Sequence, residues 1–160
     1  MNRRSFLTAA APAALLAACA VTKNADGTKT VTVNVAVIDN VGQAVLAVVD
    51  LGLQLAGVTT GPTAPAAIAA VKASEVALSK ALADFDTATH GTVTFTLDNS
   101  RTKALAETAL AAGQQLLTDF NAVLPALQPN IGSNDFRNVQ LGMAAANAAL
   151  MAARLALAAV

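Results

Sequence analysis

Phe136, Val139, Met143, Ala146, Leu150, Ala153, Leu157 and Val160 recur at alternating steps of three and four residues. Only a helix brings residues at those steps onto one side, and only other helices fill the holes between them, so this seam constrains both the conformation of the segment and its neighbours. Leu141, Ala148, Met151 and Leu155 add a second apolar row, which leaves Arg137, Gln140, Asn147 and Arg154 as a narrow polar strip. A helix that apolar is buried or faces a membrane. Ser133 or Asn134 is placed to cap its start.

Helical spacing recurs upstream. From Asn34, the polar residues Asp39, Gln43, Asp50 and Gln54 form one stripe on an otherwise apolar segment that ends near Gly57. Gly61-Pro62 and Pro65 then break the chain. A second helix is expected from Pro65 to Thr87, with Ile68, Val71, Leu78, Leu82 and Phe85 inward and Lys72, Glu75, Ser79 and Asp86 outward. A third is capped by Asn99 or Ser100 and ended by Pro125 and Pro129. It carries Leu105, Leu110, Leu117, Phe120 and Leu124 on one side, and Lys103, Glu107, Gln114 and Asn121 on the other.

Two segments alternate instead: Thr30 to Val33, and Thr92 to Leu97, where Val93, Phe95 and Leu97 share a face opposite threonines. The first two helices, joined by a short loop, should lie antiparallel. The two strands then emerge at one end of that hairpin and run in opposite directions. The expected fold is mainly α: a four-helix bundle with a short two-stranded β element at about 30–33 and 92–97, its apolar face packed on the helices because an isolated ribbon is marginal in water.

Composition fits close helix packing. The chain is 55% hydrophobic but has five Phe and no Trp or Tyr. Its apolar content is mainly Ala, Leu and Val, and alanine both favours the helix and occupies little space at an interface. Roughly 140 residues follow the first 18, enough for one domain with a single core. One cysteine excludes an internal disulfide framework.

The N-terminus carries an address. Met1 to Arg4 is a positive n-region, Phe6 to Leu16 an apolar h-region, and small residues follow. The apolar run is too short to span a bilayer, which takes about 20 residues. Leu16-Ala17-Ala18-Cys19 resembles the lipobox of bacterial lipoprotein precursors. That resemblance implies a diacylglycerol on the Cys19 thiol and cleavage before Cys19. It covers the first 19 residues and carries no information about the mature fold. Arg3-Arg4 followed by Ser5, Phe6 and Leu7 also resembles a twin-arginine export signal, although Asn2 and Thr8 replace the more usual flanking residues. The alternative is a general secretory signal to which Arg3 and Arg4 contribute only charge.

The expected organisation is an export signal over 1–18, a lipidated Cys19 with a flexible tether over 19–29 that contains the turn pair Asp26-Gly27, and a single helical domain over 30–160. From Cys19 onward the chain keeps eight basic residues and ten acids, a formal charge of −2, with no basic stripe for nucleic acid to read.

Catalytic and metal chemistry finds little purchase. His90 is the only histidine and sits beside Gly91 in a connection, where an exposed loop side chain is the simpler reading. It has no partner at zinc spacing, and there is no Gly-rich phosphate loop. Asp84, Asp86 and Asp98 lack the spacing of a calcium loop and read as solvated charges. Met143 and Met151, two turns apart, read as core packing rather than a pliable binding surface.

No catalytic, cofactor or metal residue is therefore assigned. The expected function is a non-enzymatic structural or protein-interaction module. The lipid on Cys19 would anchor it in the cell envelope, at the periplasmic face of the outer membrane, where it works through an envelope protein or through self-association. The alternative is a carrier of a lipid or other small apolar ligand in a cavity of the bundle. A third reading inserts the last helix, Phe136 to Val160, into the membrane, against the cost of burying Arg137, Asn147 and Arg154.

Overall fold

The computed structural model describes residues 19–23, 25, 29–57, 66–90, 94–96 and 100–158. The order of elements is β1 (Cys19–Lys23), β2 (Lys29–Asn34), α1 (Val35–Leu55), α2 (Ala66–Thr89), β3 (Thr94–Thr96), α3 (Ser100–Leu127), a 3-10 turn (Gln128–Asn130) and α4 (Ser133–Ala158). The protein is mainly helical, and its four helices pack as a bundle.

Asn34 leaves the extended conformation of β2 and caps α1, its Oδ1 accepting the Ala36 N–H at 3.0 Å. Val35, Ile38, Val41, Val45, Val49 and Leu53 follow at steps of three and four and are all buried, while Asp39, Gln43, Asp50 and Gln54 are exposed. The helix closes where the Ala56 N–H donates to the Gly52 carbonyl and Gly57 takes a positive φ of 65°. On α2 the five residues expected inward, Ile68, Val71, Leu78, Leu82 and Phe85, are buried. His90 ends this helix in the left-handed region at φ 52°, a position that glycine occupies more cheaply.

Pro125 does not end α3, which continues to Leu127. Proline there removes the bond its N–H would have made to the Asn121 carbonyl and crowds that carbonyl with its ring. The buried side chains of Val123, Leu124 and Leu127 hold the last turn in place. The chain then tightens into the 3-10 turn with Pro129 near its start, and Ile131 is buried beneath it. At α4, Ser133 is already helical rather than a cap. The Phe136 N–H donates to the Gly132 carbonyl at 2.8 Å, so Gly132 takes the cap position. Asn99, the other expected cap of α3, lies outside the described residues, and Ser100 is the first helical residue of α3.

Four close approaches set the arrangement of the helices. Leu82 of α2 sits over Gly42 of α1, Phe120 of α3 over Gly52 of α1, Leu150 of α4 over Gly113 of α3, and Val48 of α1 over Gly142 of α4. The first two pairs, which join the start of α1 to the end of α2 and the ends of α1 and α3, make α1 antiparallel to α2 and parallel to α3. The short connection over 128–132 returns α4 antiparallel to α3, the alternating up-and-down order of a bundle. Helix α2 packs against α3 and α1, and α4 against α1 and α3, so α2 and α4 occupy opposite corners. Val45, Val49, Val71, Leu78, Leu116, Phe120, Val139 and Leu150 are fully enclosed between them. A polar tie joins α2 to α3, where the Ser74 hydroxyl donates to Asp119 at 2.5 Å and Gln115 to the same carboxylate at 2.9 Å.

The expectation of a two-stranded β element at about 30–33 and 92–97 is not met. The strands form an antiparallel sheet of three, in the order β1-β2-β3. Cys19 pairs with Val33 and Lys23 with Lys29 along one edge of β2, and Val33 pairs with Phe95 along the other. Residues 19–23, expected in a flexible tether, are thus a strand. The cause is local: Asp26-Gly27 stands between two segments rich in Val and Thr, the pattern of a hairpin. Packing of Val93, Phe95 and Leu97 on the helices concerns side chains outside the described residues.

Candidate interaction surface

Among the described residues, two faces of the bundle are not closed by its core. The first lies between α1 and α2, where the polar stripe expected on each helix turns toward the other. Gln43 and Asp50 on α1 and Glu75, Ser79 and Lys80 on α2 rim an open cleft of about 700 Å³ with Leu46, Ala47 and Val76 between them. At one end Lys72 reaches Asp50 across the cleft at 3.6 Å and Glu75 on its own helix at 2.6 Å. Glu75 was expected outward, yet its side chain is only 13% exposed. Oε2 accepts from Lys72, while Oε1 is buried and has no hydrogen-bond partner among the described residues. Val76 is 70% exposed. An apolar strip inside a charged rim is the composition of a protein-binding patch.

The second face is the outer side of α4. The seam behaves as its spacing requires: Val139, Ala146, Leu150, Ala153 and Leu157 are buried, and Phe136 and Met143 are half-buried, while Val160 lies outside the described residues. The second apolar row does not. Leu141, Met151 and Leu155 are 63%, 51% and 70% exposed, and Ala148 between them is exposed as well. Met151 is therefore surface rather than core packing. The physical reason is geometric, since a corner helix buries one stripe and α4 is apolar on nearly two. By length and composition, α1 and α4 are each long and apolar enough to cross a membrane. In α1 much of that apolar surface is consumed by the bundle; in α4 most of the row beyond the seam is not.

The residues singled out for chemistry do not gather. Asp84 pairs with Lys80 at 2.6 Å, Asp86 and His90 are exposed, and Asp98 lies outside the described residues. Among the described residues no three His, Cys, Asp or Glu side chains come together to hold a metal ion. Arg3, Arg4, Leu16, Ala17 and Ala18 lie outside the described residues, and Cys19 opens β1. No protein-family model, curated protein or solved structure matches the chain.

Proposed function

We propose that this is a lipid-anchored protein of the bacterial cell envelope, without catalytic activity, that works as a structural or protein-interaction module. It is held at the periplasmic face of the outer membrane by acyl chains on Cys19. The single observation that supports the interaction role is the cleft between α1 and α2, with Leu46 and Val76 inside a rim of Gln43, Asp50, Glu75, Ser79 and Lys80. Its occupant is another envelope protein or a second copy of this chain that presents an apolar side chain and a hydrogen-bond donor to the buried Glu75 oxygen. The carrier reading needs an enclosed volume, whereas this cleft is open along its side and the centre of the bundle is filled by fully enclosed side chains. For the anchor, the support is the lipobox, Leu16-Ala17-Ala18-Cys19, behind Arg3 and Arg4.

Cys19→Ser should move the protein from the membrane fraction to the soluble periplasm or leave it as uncleaved precursor. Membrane association and precursor processing unchanged from the parent would overturn the anchored reading. The cleft has its own test. Val76→Lys places a charge on a side chain that is already 70% exposed, so thermal unfolding should be unchanged to within about 0.5 kcal/mol. A photoreactive residue at Ser79 should lose its cross-links in that variant. Cross-links of undiminished yield would show that the cleft is not the contact surface.

A further inference from the structure

We infer that the outer face of α4 is a second membrane contact, lying flat on an anionic lipid surface beside the Cys19 anchor; this rests on the anchored reading above. Position comes first. Val48 of α1 lies on Gly142 of α4, and α4, which returns from the end of α3 through the short connection over 128–132, runs antiparallel to α1. Thirteen residues back from Val48 is Val35, and thirteen forward from Gly142 is Leu155. Helices rise equally per residue, so the start of α1 is level with Leu155. Cys19 pairs with Val33, two positions before α1 begins. The anchor point therefore sits at the end of the bundle where Met151 and Leu155 are exposed.

Chemistry comes second. Leu141, Ala148 and Leu155 follow one another at seven-residue steps and, with Ala144 and Met151 beside them, form an exposed row about 21 Å long at 1.5 Å per residue. Arg137, Gln140, Asn147 and Arg154, also exposed, lie within and along one border of that row. Asp135, in the first turn, is the only acid of α4, and none follows it to the end of the chain. Among the described residues neither Arg137 nor Arg154 is in an ion pair with a carboxylate. A helix with leucines and a methionine on one face, bordered by cations, is built to lie in the plane of a membrane interface, with arginine stems over the acyl boundary and guanidinium groups among phosphates. The acyl chains on Cys19 hold the protein at the lipid without fixing its orientation, and this face supplies the second contact that does. The orientation that follows turns the α1–α2 cleft away from the lipid, because α2 and α4 stand at opposite corners.

The test uses the mature, lipidated protein in phosphatidylcholine–phosphatidylglycerol vesicles. The acylated Cys19 thiol is blocked and the chain has no other cysteine, so Leu155→Cys, Met151→Cys or Val76→Cys each supplies one thiol for an environment-sensitive fluorophore. At 155 and 151 the emission should shift to the blue and be quenched by nitroxide-bearing lipids. At 76 neither should occur. The quenching at 155 should be lost when Arg137→Glu and Arg154→Glu are added. If the protein stays on the vesicles while 155 and 76 report the same aqueous surroundings, the α4 contact is refuted and the anchor stands. Energy transfer between labelled copies at 155 without lipid quenching assigns the face to a second copy and refutes the contact equally. A mass for Cys19 without acyl groups overturns the anchored reading itself, and the membrane contact falls with it.

Discussion

Leu150→Asp is expected to leave the domain unfolded, with loss of its cooperative thermal transition by far-UV circular dichroism. Leu150 has no solvent exposure and lies over Gly113 at the junction of α4 with α3, where Leu78 of α2 also comes close. An aspartate there would be buried between α4, α3 and α2 beside the apolar Leu78, and an uncompensated buried charge costs several kcal/mol. A domain of this size is stable by only about 5 to 15 kcal/mol, so the substitution removes most or all of the margin. Leu150→Ala gives the graded version. It deletes atoms without adding charge and should cost about 2 to 5 kcal/mol, according to how far the surrounding side chains collapse into the space. Leu155→Asp, five residues on and 70% exposed, is the control and should leave the midpoint nearly unchanged. A Leu150→Asp protein that melts like the parent would mean that α4 is not part of the core, and would return the last helix to a docking or membrane-inserted role.

The contrast between Leu150 and Leu155 shows where sequence reasoning succeeds. Burial of the seam was legible, because Val139, Ala146, Leu150, Ala153 and Leu157 follow a period that only helix packing explains. The fate of Leu141, Met151 and Leu155 was not, since an apolar row looks the same whether it faces a fourth neighbour or none. That depends on which corner of the bundle a helix occupies, which is set by contacts between residues far apart in sequence. The sheet was misread for the opposite reason. Its missing strand is purely local, and Asp26-Gly27 between Val- and Thr-rich segments was visible as a turn but assigned to a tether because it follows the lipobox. Pro125 was overweighted in the same way. The local cost of a proline, one lost backbone bond and a crowded carbonyl, is offset here by burial of Leu124 and Leu127, which a local rule does not see.

For the candidate surface, the residues were legible and their meeting was not. Gln43 and Asp50 already belonged to the polar stripe of the first helix, and Glu75 and Ser79 to that of the second. Periodicity alone assigns both stripes to water. Facing each other, they make the rim of a cleft, and they bury one Glu75 oxygen that a solvated helix face would have left wet. The interval between Lys72 and Glu75 pointed to a helical ion pair, but nothing in one helix shows that the same lysine reaches Asp50 on its neighbour.

Gly52→Ala should destabilise the protein although it adds a better helix former. In an open helix interior, glycine to alanine gains up to about 1 kcal/mol. At Gly52 the added methyl would meet the Phe120 ring head on, colliding with Cζ and lying 3.1 and 3.2 Å from Cε1 and Cε2. Phe120 has no exposed surface, so relief requires its ring to shift within the core or α1 and α3 to part, and overpacking of this kind costs about 1 to 3 kcal/mol. The steric origin is separable from any change in helix propensity by a double-mutant cycle. Phe120→Leu alone shortens the side chain and leaves space over Gly52, and should itself be destabilising. Combined with Gly52→Ala, it should recover stability relative to the sum of the two single changes, with a coupling of about 0.5 to 3 kcal/mol. Denaturant melts of the four proteins measure that coupling. A value near zero would mean that Phe120 does not rest on Gly52, and the parallel packing of α1 on α3, which rests on that contact, would have to be redrawn.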